Sequence, residues 1–288
     1  MAAGLTRFYR YVLLGSALSG TSFPATKFLL TFLDPFSLGF IRVGIAAVLA
    51  TPLLFLRRSG VLEVFLDGGV WLVACLSAVS ITLLHVAITM TTASKASLIV
   101  NANLVFIALF SVWLLKERLT GRQIGGIGIA LAGVGLLAAG SDPQAALRPG
   151  AIGDALALSS AALSGLTVVL TKRLLDRHDY VRLAVAVLLI ASVALVVPMF
   201  AFGGPIALPL VGWTVLLWVA GISTFLATLM WTFGLGKVGA TVSSLLFAVQ
   251  VVVAAGLSVL LLSEPITLAF LVGSVLILGA VRLTAKGP

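Results

Sequence analysis

Two stretches of this chain carry one pattern. Residues 93–120 and 240–267 align without a gap: Ala93 meets Ala240, Ser111-Val112 meets Ser258-Val259, Glu117 meets Glu264 and Thr120 meets Thr267, all 147 positions apart (264 − 117). Gly126 and Gly273 continue the register, and Ser19-Gly20…Lys27 matches Ser164-Gly165…Lys172 at an offset of 145 (172 − 27). A membrane chain built from two copies of one unit places its binding site where the copies meet.

The composition supplies the membrane. Apolar residues make up 61% of the chain and charged residues 9%, with a mean hydropathy of +1.23. Soluble domains carry about 25% charge, and a soluble domain of this size has too small an interior to hide so much apolar surface. Apolar stretches of about 20 residues recur between short polar breaks, as transmembrane helices require. The period-two alternation of a membrane barrel is missing. The sequence therefore predicts an all-α integral membrane protein of ten spans, near 10–32, 36–56, 69–90, 94–115, 121–140, 152–171, 182–202, 210–233, 240–262 and 267–285. The first five form one repeat over 1–140, a linker follows at 141–151, and the second repeat occupies 152–288. Arg7 and Arg10 precede an apolar run that continues to Leu33 without a small-residue cleavage site, so it reads as a span and not a signal peptide.

The net charge is +9. In this setting it speaks for orientation and anionic lipid, not nucleic acid. With the amino terminus inside, fourteen basic residues face the cytoplasm: Arg7, Arg10, Arg57, Arg58, Lys116, Arg118, Arg122, Lys172, Arg173, Arg177, Arg182, Lys237, Arg282 and Lys286. Only Lys95 and Arg148 face outward, while Lys27 and Arg42 lie within spans. Five spans per half is an odd number, so the second repeat enters the membrane inverted and both termini are cytoplasmic. Inverted repeats are the architecture of alternating access.

Polar groups in hydrocarbon are costly and so point to function or to helix contacts. Span one offers Thr21 and Ser22, with Pro24 kinking it. In span three, His85 and Thr89 share a face. Asn101 and Asn103 stand in span four and Gln250 in span nine, and Asn103 and Gln250 are repeat mates. Ser164 and Thr167 in span six, Trp231 in span eight and Ser244 in span nine complete a midplane solute site expected between spans one, three, four, six, eight and nine. Lys27 and Arg42 are structural or gating candidates; Arg42 sits about 10 Å into span two. The glycines of span five, with Gly121 and Gly125 as a GxxxG, are expected to pack against a neighbouring helix.

All nine acids fall at span ends or in loops. That argues against a cation/proton exchanger that needs a mid-membrane carboxylate, and favours a neutral, zwitterionic or anionic solute. His85 is the one near-neutral titratable group inside a span, hence the one place for proton coupling. The single cysteine, Cys75, excludes an internal disulfide and a cysteine metal site. No metal cluster, no nucleophile with a base and no phosphate loop stands out, so neither a cofactor nor catalysis is expected. A membrane-embedded enzyme and a drug efflux pump are the rival readings.

The ordered set of Ser19-Gly20-Thr21-Ser22…Lys27, Asp34-Pro35-Phe36…Arg42, Thr92-Ala93-Ser94…Lys116-Glu117-Arg118-Leu119-Thr120, Gly153-Asp154 and Val238-Gly239-Ala240…Glu264-Pro265-Ile266-Thr267 resembles the drug/metabolite transporter superfamily, specifically its ten-helix EamA-type permeases. This chain has Ser19 where the family often has Trp, and Leu104 and Val251 where it often has Pro. The resemblance implies transport of small metabolites such as amino acids, usually outward, by a monomer or homodimer in the plasma (inner) membrane. Reporter fusions test the topology: the carboxyl terminus is expected on the cytoplasmic side, and a periplasmic signal there overturns the ten-span arrangement.

Overall fold

The structure is a computed structural model, and it describes residues 2–56, 60–90, 99–141, 151–262 and 268–285. Of the residues weighed above, Arg57, Arg58, Thr92, Ala93, Ser94, Lys95, Asp142, Arg148, Glu264, Pro265, Ile266, Thr267 and Lys286 lie outside these. The described chain forms helices throughout, in ten long segments labelled α1–α10. They are α1 (Ala2–Gly20, continued by Ser22–Leu29), α2 (Pro35–Ala50, continued by Pro52–Leu56), α3 (Gly68–Met90), α4 (Ile99–Leu114) and α5 (Gly121–Ser141). The second half holds α6 (Ala151–Leu174), α7 (Tyr180–Ala194, continued by Val196–Phe202), α8 (Leu210–Lys237), α9 (Ala240–Phe247, continued by Val249–Leu262) and α10 (Leu268–Ala285).

Local chemistry sets the ends and the breaks. Asp34 caps α2, accepting hydrogen bonds from the Phe36 and Ser37 backbone amides, with Pro35 at the first helical position. Its repeat mate Asp179, 145 positions on (179 − 34), caps α7 through the Val181 amide. Proline explains three interruptions. Pro24, Pro52 and Pro198 have no N–H to bond Gly20, Val48 and Ala194, and the helices break at Thr21, Thr51 and Leu195. The breaks in α4 at Ala102 and in α9 at Ala248 lack a proline, yet the repeat places them within one residue of each other.

Packing obeys an exchange of the two halves. α3 packs on α6 as α8 packs on α1; α4 packs on α6 as α9 packs on α1; α2 packs on α8 as α7 packs on α3. The pairs α2–α7 and α5–α10 map onto themselves. This is the contact pattern of a pseudo-twofold axis through the bundle. The most extensive apolar core joins α2, α3 and α7, with Leu183, Val185, Leu195 and Val70 fully buried.

Two glycine crossings obey the same symmetry. A Cβ on Gly20 would stand 2.5 Å from the Gln250 carbonyl oxygen and 2.9 Å from Val253 Cβ. A Cβ on its mate Gly165 would stand 2.7 Å from Phe106 Cβ, and Phe106 is the mate of Val253. No methyl group fits at either crossing. A second related pair differs in chemistry. Gly15 lies against the Ala227 carbonyl between α1 and α8, whereas the matching positions between α6 and α3 hold Ser160 and Ser80. Each of these serines donates to the other's carbonyl, at 2.8 and 2.9 Å.

One expectation is corrected here. Gly121 and Gly125 meet no neighbour, because the face of α5 that carries them points away from the bundle. Gly133 of the same span does pack: a Cβ there would stand 2.7 Å from the Gly273 carbonyl oxygen of α10.

Gly20→Val and Gly165→Val are each expected to destabilise the purified protein by about 1–3 kcal/mol, the usual range for an overpacked contact. Gly121→Val should leave the thermal midpoint within error, and a loss there equal to that at Gly20 contradicts the packing described.

Candidate functional site

A cavity of about 340 Å³ opens between the halves. Seven residues that the sequence nominated line it: Asn101 and Asn103 of α4, Ser164 and Thr167 of α6, Trp231 of α8, and Ser244 and Gln250 of α9. The repeat mates Asn103 and Gln250 thus share one chamber, next to the two breaks at Ala102 and Ala248. Among the described residues neither of these two amides makes a side-chain hydrogen bond; Asn103 is part-buried and Gln250 buried. Asn101 is buried and has a partner. Trp231 meets Phe247 edge-on at 5.9 Å, so one wall is aromatic.

The lining extends beyond the nominated residues. Thr224, Thr228 and Thr232 of α8, Ser77 and Ser80 of α3, and Thr171 of α6 join it. The spacing of four between the α8 threonines puts them on one helix face, a signal present in the sequence but not used. α7 supplies an apolar wall through Leu183, Ala184, Val187 and Leu188, and α2 adds Val43. The expected set of spans changes accordingly: α2 and α7 line the cavity and α1 does not.

Four nominated residues stand elsewhere, each with its polar group occupied. The Thr21 hydroxyl donates to the Leu18 carbonyl, so it accepts from Ser223 at 2.6 Å and from Trp218 Nε1 at 3.1 Å. Ser22 donates back to the Ser19 carbonyl and Thr89 to the Val86 carbonyl. His85 is 2% exposed and its Nδ1 lies 3.2 Å from the Pro35 carbonyl oxygen, so Nδ1 carries the proton. The imidazole packs beside Gly39 and joins α3 to the start of α2. Helical spacing gave its face correctly, but that face turns toward α2 and not toward the cavity.

Arg42 lies beside the site, its Nε donating to the wall residue Thr224 at 2.8 Å. Lys27 is exposed and makes no hydrogen bond among the described residues, whereas its mate Lys172 donates to the Gly236 carbonyl at 2.9 Å. On that same end of the bundle Glu117 accepts from the Ala240 amide at 3.1 Å and the Thr241 hydroxyl at 3.2 Å, capping α9. No charged side chain lines the cavity, and no group of His, Cys, Asp and Glu able to hold a metal occurs among the described residues.

Outside the spans, Asp34 ties the α1–α2 corner to the α7–α8 connection through the Gly204 amide at 2.7 Å. Burial by itself would raise its carboxyl, but the hydrogen bonds from Ser37, Gly204 and Phe36 outweigh burial and hold it below the ordinary value. A carboxylate depressed in the folded state stabilises above its unfolded pKa, and that stabilisation is lost as pH falls through the folded value. Asp34→Asn should therefore cost about 1.5–3 kcal/mol at neutral pH, the worth of hydrogen bonds to a charged group. The midpoint gap between wild type and variant should close below about pH 4; a gap independent of pH from 7 to 3 contradicts the role given to the charge.

Comparison with known proteins agrees with this architecture. The model of the EamA-like transporter family matches residues 7–139 and again residues 151–286. Two uncharacterized transporters of Archaeoglobus fulgidus are similar, one 27% identical over 76% of this chain and 77% of its own length, the other 26% identical over 93% and 94%. The uncharacterized transporter YyaM of Bacillus subtilis is 26% identical over 96% of this chain and 92% of its own. A crystal structure sharing 19% identity superimposes with a TM-score of 0.84 over 98% of this chain and 96% of that one, a likeness of fold.

Proposed function

This chain belongs to the EamA-like transporter family and is a multi-pass membrane transporter, and from that premise we propose that it exports amino acids or related small polar solutes by alternating access. The observation that carries the reading is the pair of amides, Asn103 and Gln250. They are related by the repeat, stand in one cavity between the halves, and have no protein partner for their hydrogen-bonding groups. Interhelical glue would pair them with protein; a solute pathway leaves them for cargo. Hydroxyls and an aromatic wall around them suit a small polar molecule with an apolar part.

The cavity has no carboxylate to exchange for a proton, and His85, buried against the Pro35 carbonyl, stands off its wall. The carrier accordingly works by facilitated diffusion or exchange, driven outward by cytoplasmic accumulation. It sits in the plasma (inner) membrane with both termini in the cytoplasm, as a monomer or homodimer whose partners are the solute and membrane lipid.

Counterflow in proteoliposomes tests this. Vesicles loaded with unlabelled amino acids should take up labelled amino acids from a mixture, without an imposed pH gradient. Asn103→Leu and Gln250→Leu should each lower the initial rate at least about tenfold, about 1.4 kcal/mol in barrier, while the thermal midpoint holds. Normal exchange by both variants would remove the cavity from the pathway, and gradient-driven accumulation that survives His85→Gln would reveal a coupling group outside this account.

A further inference from the structure

Among the described residues the cation on α2 has no anion. Arg42 is the eighth residue of its helix, about 10 Å in by the helical rise. Its Nε donates to Thr224 Oγ1 at 2.8 Å and its Nη1 reaches Thr26 Oγ1 at 3.4 Å. Among the described residues no carboxylate pairs with it, and it makes no other hydrogen bond. A guanidinium has five N–H donors, so three are unused. An intramembrane arginine ordinarily finds a carboxylate or several carbonyls.

The arginine faces inward. Leu38, Gly39 and Ala46, its neighbours on the same helix face, are all buried. Arg42 itself is part-buried. The cavity is adjacent. Thr224 and Val43 both line it, the first bonded to Arg42 and the second next to it in sequence. The hold on Arg42 is also directional. Residues Val219–Leu226 form a π-helical segment in α8, where the Thr224 hydroxyl donates to the Val219 carbonyl at 2.8 Å. That leaves the oxygen as an acceptor for Arg42 and fixes the Nε edge. A merely structural bridge from α2 to α8 needs one donor and no charge, and a neutral amide would serve at lower cost in hydrocarbon.

We propose that Arg42 is the anion anchor of the transport pathway: the carboxylate of the passing solute takes the guanidinium N–H groups that Thr224 and Thr26 leave free. This rests on the carrier reading above and narrows its cargo to solutes that bear a carboxylate, amino acids and hydroxy acids among them. Purely cationic solutes are excluded. The shared chemistry is a small anion, which could be the cargo carboxylate or an inorganic ion.

The test uses the full chain in lipid nanodiscs and follows the thermal midpoint at constant ionic strength. Glycine and lactate are titrated to tens of millimolar against glycinamide and lactamide, with chloride and phosphate as inorganic arms. The two carboxylates should raise the midpoint by several degrees and their amides should not. Thr224→Val should raise the half-saturating concentration several-fold, and Arg42→Gln should abolish the response. If Arg42→Gln does not fold, Thr224→Val and Arg42→Lys decide, the lysine keeping the charge and a weakened carboxylate preference.

Equal stabilisation by acid and amide overturns the proposal, as does a response that survives Arg42→Gln, a response to chloride or phosphate alone, or no response at all. Counterflow separates this from the carrier reading. Exchange that accepts amino-acid amides as readily as amino acids sinks the anchor and keeps the carrier. An Arg42-dependent carboxylate response without any exchange keeps the anchor and sinks the amino-acid carrier.

Discussion

The cavity depends on how closely two pairs of helices can cross. α1 meets α9 at Gly20, and α6 meets α4 at Gly165, each at a distance no side chain allows. These contacts bring the start of one repeat against the fourth helix of the other, and they do so twice by symmetry. The residues facing them across the crossings are Gln250–Val253 and Phe106–Ile107; Gln250 and Ile107 also line the cavity, with Asn103 one turn before Phe106. Without hydrophobic drive between helices in lipid, such close packing supplies the association energy. The chamber is therefore a consequence of glycine placement as much as of the polar residues in it.

The duplication made this architecture readable. Because Glu117 and Glu264 share a register, the ten spans, the odd repeat and the pairing of Asn103 with Gln250 followed from the residues alone. Asn103 and Gln250 were legible because an amide in hydrocarbon has few places to be. His85, Thr21, Ser22 and Thr89 were not, since a histidine or hydroxyl can satisfy itself on a nearby carbonyl, as each of these does. Periodicity says which residues share a helix face. It does not say which neighbour that face meets, and that is fixed by long-range packing. The Gly121–Gly125 spacing failed for the same reason, while Gly133 of the same span packs against α10 as expected of the span-five glycines. The contribution of α7 escaped notice because its wall is apolar and resembles any buried helix.

Pseudo-symmetry in the fold does not extend to the present contacts. Lys172 is engaged at the Gly236 carbonyl, but its mate Lys27 is exposed and unbonded among the described residues. Glu117 adds a cap on α9 at the same end as Lys172. The end of the bundle that holds Lys172 and Glu117 is tied by charge-assisted bonds, and the opposite end by Asp34 at the Gly204 amide. A transporter that exposes one site to two sides in turn needs its two halves to differ at every instant while being able to exchange roles. Among the described residues, Lys27 and Lys172 are one repeat pair held in two different contact states.

Charge placement completes the physical picture. The described acids lie at helix ends or in loops, and they act there as caps and ties: Asp34 on α2, Asp179 on α7, Glu117 on α9, and Asp67 against His178 at 2.8 Å. Each uses the favourable field of a helix start or a nearby partner at the membrane surface. None enters the cavity, so the chamber wall offers dipoles only. Arg42 breaks this economy, as a cation held by two hydroxyls with no carboxylate bonded to it among the described residues. Carboxylates cap or tie α2, α7 and α9, and none is paired with this guanidinium. In a protein whose chamber must accept and release cargo, a fixed counter-ion at that position would compete with the cargo for the cation. On the anchor proposal, an Arg42 without a fixed counter-ion carries the cost of its burial in the unloaded state and is relieved of it when a carboxylate binds.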